Sequence, residues 1–298
     1  MPLDEDKYPG ETGRRRFVKG VVGSAALASV GTGGAAAVNT VTSAAGGGGG
    51  PTQYMAIENT DGPAPRGMPI VPVEVNDSGE LNGIFPEAST ETVQGVQRTI
   101  AEMDMGGTTY SSQWFQYCGL ESYQGVRPDA DADNLLRASA SPPPAYEWQQ
   151  DVEGNTPLTV DMFDDYEEWG NSIGEAGLGK PASATWRSQG ENAKTIPVQV
   201  LRTPEVSKMV NGEQGVFGND YSTIPQNVRN FLDAATDQDF MAWINKCTHF
   251  CCVPGYKQLA GSANFGGANA VYCQCHQSVY DPFSPTQVQF VARPRPDN

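Results

Sequence analysis

The chain has 298 residues, 38% hydrophobic and 18% charged, enough apolar side chain for one large folded domain or two modest ones. Its 35 acidic residues against 19 basic give a net charge of −16; the first 50 residues hold four acidic and five basic side chains, so −17 falls on residues 51–298. Such a surface lacks the clustered cations that bind phosphate backbones, which excludes nucleic acid as a partner. It is the surface of a halophilic protein, soluble where salt screens self-repulsion. The alternative is a docking face for a cationic partner, with the runs DADAD at 129–133 and DDYEE at 164–168 as the places to look. The first run opens like a calcium loop, but no Gly or Glu follows at the required offsets, and calcium is excluded there. Gly 34 and Pro 22 call for many turns and favour β over helical architecture.

Residues 12–19 read TGRRRFVK, and no charged residue occurs from 20 to 57. A charged segment followed by a weakly apolar one is the layout of an export signal. Arg14-Arg15-x-Phe17-Val18-Lys19 resembles a twin-arginine signal, with Gly13 where Ser or Thr is usual. That resemblance implies export of a folded protein that acquires its cofactor in the cytoplasm. Residues 20–38 are 19 uncharged positions, about the length that spans a bilayer, though rich in Ala and Gly. The expectation is a cytoplasmic segment at 1–16, a signal retained as a single membrane anchor at 17–38, and the folded head outside the cell membrane. Gly46–Gly50 places a flexible tether at 39–60. The folded domain then occupies 61–298.

Within that domain, Val71, Val73 and Val75 alternate as an extended or edge segment. Ser89 followed by Val93, Val96, Ile100 and Met103 predicts an amphipathic helix. Residues 105–190, broken by Pro142-Pro143-Pro144, read as loops and short strands with no chemistry attached. Residues 196–202 alternate as a strand, 224–235 as a short helix, 239–245 as a buried strand, and 288–291 as a final strand.

The chain has only two histidines and six cysteines, and all but one of these eight lie in two short boxes. Box one is Cys247-Thr-His249-Phe-Cys-Cys252; box two is Cys273-Gln-Cys275-His276-Gln-Ser278. A structural zinc site would ordinarily use paired knuckles, and CxH with CxCH gives none. A disulfide framework accounts for the cysteines but not for the histidines. A copper site would leave cysteines over.

CxHxxC followed by CxCHxS resembles the Rieske iron–sulfur family over about 36 residues. The resemblance implies a mainly β chain, a Rieske-type antiparallel β-sandwich with a small cluster-binding subdomain near 245–285. It implies one [2Fe–2S] cluster, with Cys247 and Cys273 on one iron and His249 and His276 on the other. It also implies a Cys252–Cys275 disulfide tying the loops together. Ser278 and Tyr280 stand where the quinol-oxidising branch places hydroxyls that donate to a cluster sulfide and to a ligating sulfur, raising the potential. The implied protein is the Rieske subunit of a membrane quinol-oxidising, cytochrome bc-type respiratory complex, an oxidoreductase subunit not catalytic alone. His276 would receive the quinol's hydrogen bond and proton. The implied partners are a cytochrome b-type membrane subunit, quinol, and a cytochrome c-like or blue-copper acceptor. The small subunit of an arsenite-oxidase-like molybdenum enzyme and a soluble exported electron carrier are the alternatives.

Cys251 and Gln277 stand where the family has Gly, and Gln274 where it has Pro. The 20 residues between the boxes include a glycine-rich stretch, 261–267, expected as a surface excursion. Cys118 and Cys251 are left over, either as two thiols or as a second bridge.

Overall fold

The computed structural model describes residues 50–93, 96–140, 146–190 and 193–292. The twin arginines Arg14 and Arg15, the expected anchor and the glycine run up to 49 lie outside the described residues. Among the described residues, no helix is long and apolar enough to cross a membrane.

The chain is mainly β, built on a curled antiparallel sheet. Nine strands form it: β1 (Gly50–Asp61), β2 (Met68–Val71), β8 (Arg137–Ala138), β9 (Lys180–Trp186), β10 (Ile196–Arg202), β11 (Phe240–Ile244), β12 (Gly255–Tyr256), β13 (Val271–Cys273) and β14 (Ser278–Ala292). Their order is β12-β13-β14-β1-β2-β11-β10-β9-β8. The expected strands at 196–202, 239–245 and 288–291 are β10, β11 and the end of β14. All five residues of β11 are buried, as its uninterrupted apolar run FMAWI requires of a central strand.

β2 joins the two halves of the sheet, pairing Ile57 with Met68 on one side and Trp243 with Ile70 on the other. The valine alternation at 71–75 is extended as expected: Val71 ends the internal strand β2, and β3 (Val73–Val75) is an edge strand that pairs only with β4 (Leu81–Gly83) in a separate two-stranded sheet. Residues 50–60, placed in the tether, are most of β1, whose long partner is β14. The register of that pair shifts between Ile57 and Glu58, where Asp281 through Pro285 of β14 are accommodated. Pro282 and Pro285 cannot donate to a ladder, and the bulge is where a strand tolerates them.

The helix expected from Ser89 to Met103 is a hairpin. β5 (Ala88–Val93) pairs with β6 (Val96–Met105), and β6 with β7 (Thr108–Ser111). The antiparallel pairing runs from Ala88 with Ala101 to Val93 with Val96. Thr90, Thr92, Thr99 and Ile100 prefer extended backbone, and Met103 of the supposed apolar stripe is exposed. The helix expected at 224–235 is present as α2 (Gln226–Ala235), after α1 (Glu205–Asn211). Its apolar residues Val228, Phe231, Leu232 and Ala235 are buried, a stripe at helical spacing.

The excursion from 105 to 190 supplies a large part of the core. Trp114, Phe115, Tyr117, Phe163 and Trp186 are buried with the β1, β2 and β11 residues in one cluster. Trp186 packs edge-on against Phe85 and Phe115, with ring centroids 5.8 and 5.7 Å apart, and its indole N–H donates to Gly83 O at 3.0 Å. Removing that ring leaves a cavity and an unpaired carbonyl. Trp186→Ala should lower the unfolding free energy by about 3–5 kcal/mol, read from the shift in urea midpoint. A loss below about 1 kcal/mol would mean that the excursion is not part of the core.

Candidate metal centre

Both Cys/His boxes fold into the same kind of turn. In the loop from β11 to β12, the Cys251 N–H donates to Cys247 O at 3.0 Å. In the hairpin from β13 to β14, the Gln277 N–H donates to Cys273 O at 2.8 Å. Each turn thus closes five residues on the carbonyl of its first cysteine. Each ends in the left-handed region, Cys251 at φ 64° and Gln277 at φ 58°. These are the two positions where the sequence comparison expected Gly, and the backbone explains that expectation: a side chain there costs about 1–2 kcal/mol.

A turn of this shape aims successive N–H groups inward, the geometry of an anion-binding nest. The Cys247 sulfur accepts from the backbone N–H groups of His249 and Phe250; the Cys273 sulfur accepts from those of Cys275 and His276. The two cysteine side chains, both fully buried, also hydrogen-bond each other. The Cys273 S–H donated to Cys247, above all, and then the Tyr280 hydroxyl and the two N–H groups pull the Cys247 thiol down to about 5. Cys273 is pushed up by the same partnership and by burial. The turn around Cys247 therefore favours its thiolate, the form that binds metals.

Tyr280 connects the second box to the first. Its O–H donates to Cys247 Sγ at 3.3 Å, and its oxygen accepts the Thr248 N–H at 3.1 Å. Thr248 Oγ1 donates to Arg66 O at 2.5 Å. Ser278, which pairs with Cys273 across the hairpin, is fully buried, and its Oγ has no hydrogen-bond partner. Cys252 and Cys275 form a disulfide across the two loops. The rings of His249 and His276 lie with centroids 4.6 Å apart, and Phe250 stacks on His276 at 4.4 Å. Both imidazoles are half-buried with Nδ1 innermost, buried and without a hydrogen-bond partner.

The structure therefore brings together the seven sequence-predicted residues of the two boxes and Tyr280 just beyond the second. Cys252, Cys273, Cys275 and His276 place their donor atoms within 4.8 Å of one another, a Cys/His group that could hold a metal. Two of those sulfurs are already committed to the disulfide, so thiolate donors must come from Cys273 and Cys247 instead. Three orphaned buried atoms, His249 Nδ1, His276 Nδ1 and Ser278 Oγ, would each cost about 1–3 kcal/mol if nothing satisfied them. Two sulfurs and two imidazole nitrogens are a donor set for zinc or an iron–sulfur group. The residues fit a metal centre.

Several supporting residues carry no signal in the boxes themselves. Tyr117 donates to Lys246 O at 3.1 Å, and Lys246 Nζ donates to Cys118 O at 3.1 Å and to the Tyr123 hydroxyl at 2.9 Å. The 117–123 segment of the excursion is thus pinned beneath box one. Gly62, at φ +83°, lies so close to box two that a Cβ would sit 2.6 Å from Ser278 Cα. The glycine-rich insert is a mostly exposed 3-10 segment (Ala260–Phe265), held by Ser262 Oγ donating to Gly267 O at 2.9 Å and by Phe265 stacked on Tyr272.

Compared with family models, curated proteins and solved structures, the chain has no match.

The backbone argument is tested by exchanging the two kinds of position. Gln277→Gly should raise the unfolding free energy by about 1 kcal/mol, because Gln277 is exposed and held at positive φ. Gly62→Ala should lower it by about 2 kcal/mol or more, through backbone overlap. Urea melts of both variants with the sign reversed would remove the left-handed closure from the account of the loops.

Proposed function

We propose that the two turns hold a Rieske-type [2Fe–2S] cluster and that the chain is the electron-transferring subunit of a quinol-oxidising, cytochrome bc-type membrane complex. One observation carries the reading. Two buried thiols sit in paired N–H nests beside two imidazoles whose inward Nδ1 atoms lack any protein partner. Cys247 and Cys273 would hold one iron and His249 and His276 the other. When bound, such a cluster accepts one electron at a potential of roughly −150 to +300 mV, above all-cysteine centres, because neutral imidazoles replace two thiolate charges.

The protein's own groups have defined parts in that chemistry. With Nδ1 turned inward, the ring of His276 keeps its other nitrogen as a site to accept a hydrogen bond and a proton from quinol. Phe250 and Val253, 63% and 58% exposed, make the tip around the imidazoles apolar, which favours docking into a membrane subunit near a quinone pocket. The Cys252–Cys275 disulfide holds the two loops in register. The backbone N–H groups and the Tyr280 hydroxyl hydrogen-bond sulfur and favour the electron-rich state, supporting the high-potential branch over an arsenite-oxidase-like subunit. Ser278 Oγ is a further donor available to the same centre. The cytochrome b-type partner, the cytochrome c-like or copper acceptor and the extracytoplasmic membrane location follow from the same reading.

Purified protein should contain two irons and two acid-labile sulfides per chain, and Cys247→Ala, Cys273→Ala, His249→Ala or His276→Ala should each abolish them. Iron-free protein, or a single bound zinc, overturns the reading. Tyr280→Phe should keep the iron and lower the midpoint potential by on the order of 50 mV, the one-electron equivalent of about 1 kcal/mol of hydrogen bonding to sulfur. An unchanged potential in that variant would remove Tyr280 from the tuning of the centre.

A further inference from the structure

The two cysteines outside the metal site meet at its base. Cys118 Sγ donates to Cys247 O at 3.1 Å, and that same oxygen accepts the Cys251 N–H at 3.0 Å. Two donors converging on one carbonyl put the Cys118 sulfur beside the Cys251 backbone, and the two thiols are in hydrogen-bond contact. Both are free and half-buried. The segments that carry them are held in place independently: Tyr117 and Lys246 bridge them with two further hydrogen bonds, and Cys251 is fixed as the closing residue of its turn. Neither thiol is needed for the donor set of the metal centre.

We propose that Cys118 and Cys251 are a redox-active thiol pair that closes to a second disulfide, stapling box one to the 105–190 excursion. The oxidant is a low-molecular-weight or protein disulfide. One of the two cysteines loses its proton and attacks the oxidant's S–S bond, releasing one thiolate and forming a mixed disulfide. The second cysteine attacks that mixed disulfide; the Cys118–Cys251 bond forms and the second oxidant thiolate leaves. Two electrons pass from the cysteines to the oxidant, and the two cysteine protons end on the two released thiols. Box one is then covalently held on two sides, by Cys252 to box two and by Cys251 to the excursion. The proposal concerns residues outside the ligand set, so it stands or falls separately from the identity of the metal.

Full-length protein, isolated with its metal, is treated with excess glutathione disulfide, denatured, alkylated, digested and sequenced by mass spectrometry without reduction. The peptide carrying Cys118 is expected to lose its alkylation and to appear joined to the box-one peptide, with fragmentation placing the bond at Cys251. The attachment should vanish in Cys251→Ala, with circular dichroism confirming that the variant is folded. A Cys118 that stays alkylated, is found only as a glutathione adduct, or is joined to Cys247 overturns the proposal. The wild-type fragmentation decides the matter even where a variant does not fold.

Discussion

The N–H groups that converge on Cys247 and Cys273 are the constraint on which the rest of the site depends. A thiolate taken out of water costs several kcal/mol unless dipoles replace the lost hydration. Here each sulfur receives two backbone N–H groups from residues two and three positions further on. That arrangement exists only if the chain turns back within five residues, and turning back requires a left-handed residue at the fifth. Solvation of sulfur thus dictates the loop shape. The loop shape in turn fixes where His249 and His276 lie, because each histidine belongs to the same turn as its cysteine.

Two turns so small could not hold their relative position alone, since neither buries much apolar surface. The sheet supplies the frame. β13 and β14 enter and leave box two as a hairpin, β11 delivers box one from the middle of the sheet, and Tyr280 on β14 reaches across to Cys247 and Thr248. β1 lies against β14 through the bulge, and Asn59 and Gly62 at its end press on the second hairpin. The aromatic core contributed by the excursion underlies both halves, and its 117–123 segment touches box one directly through Lys246. A perturbation of that segment therefore reaches box one through a short chain of hydrogen bonds.

What could be read in the sequence and what could not follows from range. The boxes were legible because their spacing encodes a local turn: cysteine and histidine two or three apart share one nest. Strands β10 and β11 were legible from alternation or an uninterrupted apolar run, and α2 from its stripe. The helix expected over residues 89–103 is absent because apolar spacings of three and four also occur by chance in a Thr-rich strand pair, where Thr90, Thr92 and Thr99 favour extended backbone. Gly62, Lys246 and Tyr117 were illegible because their parts are set by contacts across the fold, which no spacing reports. Cys251 and Gln277 are intermediate cases. Both depart from the Gly that the resemblance implies, and the φ values supply the physical meaning of that departure.

The charge distribution raises a conflict that the same geometry resolves. Residues 51–298 carry −17, and a negative field opposes adding an electron to any centre within them. Carboxylates on the surface act through water and salt, with a reach of about 8 Å at physiological ionic strength and less in brine. The groups around Cys247 and Cys273 act at hydrogen-bond distance through protein, where screening is weak. Lys246, only 8% exposed and adjacent to Cys247 in the chain, turns its amine to Cys118 O and the Tyr123 hydroxyl. Hydrogen bonds at the sulfurs therefore act on the site at shorter range and with less screening than the surface carboxylates do. A chain can in this way carry an acidic exterior without losing the local hydrogen bonds that favour thiolate at Cys247.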